Sequence, residues 1–368
     1  MMPVLYDAGK DEVLSKVHPF HDCGFLSEGS IFQNPAQVDV SVIVPCYNAA
    51  RFLPGCIESL ASQKAACSYE VLLVDDGSTD GSFELIEEAA KMHEGFVCVH
   101  QQNQGAAAAR NTGMRMARGE YLLFVDADDV VSPSYVQALY DCVRAEGADL
   151  GVCAWYAFTG EDRRYKTVRY ESGTGTEQLN GTPWGKLFHR RLFEHLLWPS
   201  GYWYEDTVLA FLVYPRVRRV ACTDKCEYGY RSSAQNATHS GRKSPKALDS
   251  LYITHLALKG MEKMGLEGWL NSTFGRKRLM DQFYLNQCRI QRLPRDCQRE
   301  LFRLQSAYLR HMPPAKEKQR LGSLYALALK KGNAPLGLLC ARLEKVHKAL
   351  GLLSLRASSL WKRKEQNA

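Results

Sequence analysis

Long hydrophobic runs are absent from this 368-residue chain. Its uninterrupted apolar stretches are no longer than VLAFLVY at 208–214, far below the roughly 18–20 residues that a bilayer-spanning helix needs. The first residues, MMPVLYDAGKDEVLSK, place acids and lysines where a secretory signal would hold an apolar core, so secretion is not expected. With 12 cysteines the chain is too poor in sulfur for a disulfide scaffold. Several of them, Cys46 and Cys98 among them, sit in apolar runs where a thiol packs as a small hydrophobe. No Cys-x-x-Cys pair occurs, and Cys222 and Cys226 have no second pair to complete a zinc site. These absences point to a reducing, cytoplasmic setting.

What is present is an ordinary globular composition, 45% hydrophobic and 24% charged. The charge is divided unevenly. From residue 245 onward there are 24 Lys and Arg against 9 Asp and Glu, whereas residues 1–244 hold 23 against 31. An acidic body with a basic appendage suggests contact with an anionic surface, either nucleic acid or anionic lipid. No helix-turn-helix, zinc-finger or RNA-binding signature accompanies the basic residues, and no nucleic-acid partner is expected.

Three regions follow from pattern. Residues 1–37 show no firm period and read as an N-terminal extension of low order. His18, His21 and Cys23 within it are potential metal ligands, but three such residues in an irregular segment are more often incidental. From residue 38 to 244, β-branched runs alternate with helical spacing: strands at 38–44, 71–74, 96–100, 121–125 and 150–156, helices at 51–63, 80–91, 106–118 and 132–146. That alternation implies βαβ units, an α/β class and a mostly parallel sheet covered on both faces. After residue 160 the alternation loosens. A Trp-bearing loop and helix are expected at 182–195, a helix at 205–214, and short strands at 220–222 and 227–230. Residues 245–368 read as a basic helical region, with helices at 247–264, 274–292 and 341–355.

The chemistry-bearing residues fall just past strand ends, where open α/β sheets bind ligands. Asp75 and Asp76 follow the second strand. Asp126, Asp128 and Asp129 follow the fourth. Aspartate suits turns in any case. Two carboxylates separated by one small residue, as in Asp126, Ala127 and Asp128, are also hard oxygen ligands suited to Mg2+ or Mn2+ with positions left for phosphate oxygens.

Several ordered blocks accompany them: VSVIVPCYNAARFL, EVLLVDDGSTDGS and NQGAAAARNTGMRMARGEYLLFVDADD. Over residues 38–156 the chain resembles family-2 glycosyltransferases of the GT-A fold, a Rossmann-like nucleotide-diphospho-sugar transferase architecture. A weaker likeness continues through PWGKLF, YEDT and Tyr230 with Arg231. The resemblance implies that Pro45, Tyr47 and Asn48 form a turn in which Tyr47 lines a uracil pocket. It further implies that Asp76 accepts a hydrogen bond from the uracil, that Asp75 supports that loop, and that Arg110 lies near the nucleotide. Asp126 would face the ribose. Asp128 would bind the divalent metal, with Asp126, Asp129 and a downstream His239 as possible co-ligands.

Transfer from a sugar nucleotide develops negative charge on the leaving diphosphate, which a bound Mn2+ or Mg2+ stabilises. Inversion requires a base opposite the leaving group, and the resemblance assigns it to Asp206 of the pair Glu205 and Asp206. By residue type alone that pair also reads as the acids of a helix N-terminus. Trp184, Lys186, Trp203 and Tyr204 are candidates for the acceptor side, with core packing as the competing reading of the aromatics. Residues 231–240 are polar enough for a lid. The segment 336–355 with the following WKRK suits a helix on an anionic membrane face, and equally a packed helix or a solvated tail.

A nucleotidyltransferase would carry a G-x-G-T-R loop where this chain has PCYNAA, a P-loop is missing, and a processive synthase would show a Q-x-x-R-W block and membrane spans. The expected activity is therefore inverting transfer of one sugar from a UDP-sugar to a glycan or lipid-linked acceptor in cell-envelope polysaccharide biosynthesis. The enzyme would be cytoplasmic, or peripheral on the inner membrane face. The alternative is a non-catalytic nucleotide-sugar-binding or scaffold protein with a basic, membrane-contacting tail.

Overall fold

The computed structural model describes residues 11–160, 163–232, 244–312 and 324–342. The chain forms two compact units, one of Asp22–Asn236 and one that joins Met1–His21 to Ala237–Ala368.

The first unit is built on a nine-stranded sheet in the order β3-β2-β1-β4-β8-β6-β9-β5, with β7 paired to β6. β1 (Val38–Cys46), β2 (Tyr69–Asp75), β3 (Phe96–His100) and β4 (Gly119–Phe124) run parallel. β8 (Lys186–His189) then enters antiparallel between β4 and β6 (Leu150–Thr159). β9 (Val220–Arg231) is parallel to β6 and antiparallel to the short β5 (Val130–Val131), and β7 (Arg163–Val168) is antiparallel to β6. The sheet is thus parallel in its first half and mixed in its second.

Alternation along β1 explains how both faces are covered. Val40, Val42 and Val44 are buried against Leu53, Cys56 and Leu60 of α2 (Leu53–Ala61) and Ile86 of α3 (Ser82–Met92). Tyr135, Leu139 and Val143 of α5 (Tyr135–Glu146) join the same cluster. Ile43 faces the other way, toward α4 (Ala106–Met116), where a Cβ added to Gly113 would lie 2.5 Å from its Cγ2. Only glycine lets α4 approach β1 so closely. Each such buried aliphatic side chain contributes about 1.5–3 kcal/mol relative to exposure.

The second unit is helical. It comprises α6 (Asp249–Lys263), α7 (Thr273–Arg289), α8 (Arg295–His311), α9 (Leu324–Lys331) and α10 (Ala334–Arg342). Its core includes Leu251, Ile253, Leu279, Phe283, Phe302 and Leu329. The Ser272 hydroxyl caps α7 by accepting from Gly275 N at 3.0 Å.

Several expectations change. Residues 22–37 are an ordered strap of the first unit: Ser27 N donates to His195 O (3.0 Å), Ile31 N to Glu194 O (2.9 Å) and Gln37 N to Arg118 O (2.7 Å). Residues 11–21 belong instead to the helical unit, where α1 (Glu12–Ser15) buries Leu14 and His18 pairs with Asp249 at 2.8 Å. The helix expected at 182–195 is strand β8 followed by a 3-10 turn, Arg190–Phe193. The two short strands at 220–230 are one strand, carried across a register shift opposite Cys153 and Ala154. At 205–214 the helix is irregular, a turn leading into a π-helical segment, Leu209–Val213. His239, most of the expected lid and the basic stretch after residue 342 lie outside the described residues.

Candidate active site

The parallel register brings three strand ends to one edge. Cys46 pairs with Asp75 and Ile43 with Phe124, so the PCYN turn, the DDGS loop and the DADD turn emerge side by side. The first two are tied directly. Asn48 takes a left-handed backbone (φ 48°), which asparagine tolerates, and its N donates to Ser78 Oγ at 3.0 Å. Asn48 Oδ1 accepts from Thr79 N at 2.8 Å. Tyr47 remains 52% exposed.

Both carboxylates of the DDGS loop are buried and engaged. Asp75 accepts from Ser78 N and pairs with His100 Nδ1 at 2.8 Å. Asp76 Oδ1 accepts from Gln101 Nε2 (2.7 Å) and Gln104 N (2.9 Å), and Oδ2 from Gly105 N (2.7 Å). Asp76 therefore fixes the loop that opens α4, with one acceptor position of Oδ2 left over. Gly77, at φ +72° and with Asn103 N 2.9 Å from where a Cβ would stand, makes the turn between them.

The DADD turn divides its three acids. Asp129 is fully buried, with Oδ2 accepting from the Tyr228 hydroxyl (2.6 Å) and Oδ1 from Arg231 N (2.6 Å). Tyr228 also accepts from Asp126 N at 3.1 Å, and Arg231 Nε donates to Asp128 O at 2.7 Å. Asp129 is thus the anchor that β9 uses to shape the turn. Asp126 and Asp128 are half-buried. Burial and the neighbouring Asp126 push the Asp128 carboxyl up to about 6, and burial with the same neighbours raises Asp129 well above the usual range.

Arg110 joins this turn to the Glu205 and Asp206 pair. Its guanidinium is buried, with Nη2 donating to Asp126 Oδ1 (3.0 Å) and Nη1 to Glu205 Oε1 (2.5 Å), above the Trp198 ring at 5.5 Å. Burial alone would lower its pKa, but the two carboxylates outweigh that and raise it. Tyr204, just before the pair, adopts φ 64°, an unusual backbone for a tyrosine that costs of order 1–3 kcal/mol. It turns the chain so that Glu205 reaches Arg110 and Asp206 opens the next helical segment, with its carbonyl accepting from Leu209 N at 3.0 Å.

Trp184 and Lys186 occupy the interior. Trp184 is 6% exposed and stacked on Tyr228 (4.8 Å, 7°) and Tyr230 (5.4 Å, 18°), with Trp155 edge-on at 5.2 Å. Lys186 is 1% exposed, and its Nζ donates to Asn180 Oδ1 (2.5 Å) and Thr182 O (2.9 Å). Burial lowers its amine to about 7, against the opposing charges of Cys153 and Asp206. These two side chains brace the site from beneath, because their faces and donors are spent on the protein itself. Trp203 and Tyr204 are half-buried beside the Glu205 and Asp206 pair. Tyr228 and the Glu205 partnership of Arg110 had no sequence signal, since both depend on segments far apart in the chain.

Among the described residues no three His, Cys, Asp or Glu side chains converge as a metal cage. Cations that take most ligands from phosphate and water do not require one. Asp126 and Asp128 fit such a group: they are adjacent hard oxygen donors, and the raised Asp128 marks an acid pair that a cation would stabilise.

Comparison with known proteins agrees with this geometry. The model of the family "Glycosyl transferase family 2" matches residues 41–197. The uncharacterized glycosyltransferase EpsJ of Bacillus subtilis is 30% identical over 324 residues, covering 79% of this chain and 92% of EpsJ. Glycosyltransferase GlyA of Streptococcus pneumoniae is 34% identical over 211 residues, 52% of this chain, and this chain spans only 30% of GlyA's length. Among solved structures, S. aureus TarS 1-349 in complex with UDP-GlcNAc superposes with a TM-score of 0.59 at 15% identity, over 83% of this chain and 92% of that one. The architecture is that of an α/β GT-A protein with a helical C-terminal region. The chain belongs to glycosyl transferase family 2.

Proposed function

We propose that this protein is an inverting glycosyltransferase that moves a single sugar from a UDP-sugar to a glycan or lipid-linked acceptor in cell-surface polysaccharide synthesis. The observation that carries the reading is the convergence of the DDGS loop, Asp126 with Asp128, and the Glu205 and Asp206 pair on one sheet edge, joined through Arg110. That edge is where an α/β sheet binds a nucleotide.

In this reading Tyr47 stacks on the uracil, Pro45 and Asn48 hold its turn, and Asp75 and Asp76 fix the adjacent loop, with the remaining position on Asp76 Oδ2 meeting the base. Asp126 faces the ribose. Asp126 and Asp128 are the residues that would hold Mn2+ or Mg2+, which when bound neutralises charge growing on the diphosphate. Asp206 accepts the proton of the acceptor hydroxyl as the new bond forms on the face opposite the leaving group. Trp203 and Tyr204 border that side and supply aromatic faces to a sugar. The basic segment after residue 342 supports contact with an anionic membrane surface.

UDP release from a panel of UDP-sugars, with Mn2+, Mg2+ or chelator, tests this. Release from one sugar, dependent on metal and lost in Asp128→Ala, is the expected result. Absence of both release and metal-assisted UDP binding would overturn it, in favour of a non-catalytic scaffold.

A further inference from the structure

We infer that Arg110 is a positioning residue, whose two ion pairs set the distance and orientation between the donor-side carboxylate Asp126 and the segment that carries Asp206. The inference rests on the reading of the site given above and deepens it.

Three observations support it. First, the two guanidinium nitrogens are divided between two elements: Nη2 to Asp126 on the turn after β4, and Nη1 to Glu205 on the turn before the π-helical segment. A planar, rigid fork of this kind fixes relative orientation as well as distance, which the point charge of a lysine does not. Second, Arg110 is itself immovably held. It lies at 6% exposure on α4, whose approach to β1 is locked at Gly113, and it rests above the Trp198 ring. The next residue, Asn111, clamps Trp198 from both sides: its Oδ1 accepts from Trp198 N (2.7 Å) and its Nδ2 donates to Trp198 O (2.8 Å). Third, the segment it steadies needs steadying. Tyr204 holds a strained backbone at φ 64°, and such strain persists only where surrounding contacts over-determine it.

The consequence is a division of labour within the acid pair. Glu205, with Oε1 on Arg110, acts as the tether, and its chain neighbour Asp206 is the base carried on the tethered segment. The Arg110 guanidinium thus reports the placement of the donor-side turn to the base-bearing segment through two charge-assisted hydrogen bonds.

The test uses the full-length protein, the UDP-sugar that it hydrolyses, and UDP with Mn2+ as the binding probe. Arg110→Gln and Glu205→Gln are each expected to lower kcat roughly 100-fold, the scale of a small misplacement of a reacting group, while UDP affinity changes by less than about threefold. The double variant should be no slower than the worse single one, because either change alone already breaks the link between the two elements. Arg110→Lys should recover only part of kcat. Thermal melting of each variant separates lost placement from lost folding.

A loss of UDP affinity equal to the loss of kcat would reassign Arg110 to direct nucleotide contact and overturn the inference. Multiplying effects of the two single variants would overturn it as well. A wild-type protein that turns over no sugar nucleotide would overturn the proposed function itself, and the positioning role with it. An active wild type with unaffected Arg110 variants would sink the positioning role alone.

Discussion

At the scale of single residues, the acids of the site differ in how many protein donors hold them. Asp129 has both oxygens occupied by Tyr228 and Arg231, Asp76 has three donors, and Glu205 has Arg110. A carboxylate held by protein donors has fewer positions left for a ligand, whatever its place in a motif. If Asp206 is the base of the proposed transfer, Asp206→Asn abolishes transfer while leaving UDP binding, and a variant with near-normal turnover would contradict that role. Lys186 offers a second test. Its amine titrates near 7 when folded but near 10.5 when unfolded, so the unfolded chain binds more protons between those values. Stability from this group therefore rises as pH rises from about 7 toward 10. In Lys186→Met that dependence should vanish: the melting temperature of the wild type, measured relative to the variant, should climb over the same range. A constant difference would mean that the Asn180 and Thr182 oxygens hold the ammonium charged throughout.

At the scale of elements, α4 is the part on which placement depends. It starts at the loop fixed by Asp76, meets β1 at Gly113, and carries Arg110 on one turn and Gly113 on the next. Gly113→Ala would set a Cβ 2.5 Å from Ile43 Cγ2, forcing the helix outward. The expected cost is about 1–3 kcal/mol in urea unfolding, with a fall in kcat because Arg110 moves too. Gly55 of α2 is the control, since a Cβ there meets nothing within 4 Å. Gly55→Ala should stabilise by roughly 0.4–1 kcal/mol, through the reduced freedom of the unfolded chain. Equal effects at the two positions would refute the close-approach argument. Elements were legible in the sequence in proportion to how local their cause is. The runs that became β1 to β4 and α2 to α5 declare themselves by buried periodicity. The Lys186 strand did not, because KLFH has no alternation of its own and becomes a strand only by pairing with β4 and β6.

At the scale of the whole chain, the N-terminal extension is divided between the two units. Residues 22–37 strap the first unit, while Leu14 and His18 serve the helical one. The charge division survives this reassignment, since the basic residues are concentrated after residue 245. α10 is a packed part of the helical unit: Cys340 and Ala341 are buried, and a Cβ at Gly337 would strike Phe302. Membrane contact, if it is the role of the basic tail, falls to the residues beyond it. Removing 343–368 should abolish co-sedimentation with vesicles containing phosphatidylserine. Undiminished sedimentation would assign the tail another role.

The sequence by itself determined the α/β class, the first four strands, the family and the positions of the acids, because buried apolar runs and strand-end turns are local properties of the chain. It also placed Asp126, Asp128, Glu205 and Asp206 as candidates together. The tertiary structure tied two of those acids, Asp126 and Glu205, to Arg110. It buried Trp184 and Lys186, and it made Asp129 an anchor of β9. Those outcomes depend on partners distant in the chain, such as Arg110 with Asp126, 16 residues apart, and Arg231 with Asp129, 102 apart. A carboxylate has the same chemistry in every motif, and only its hydrogen-bond donors and burial, both set by the folded chain, give it its task.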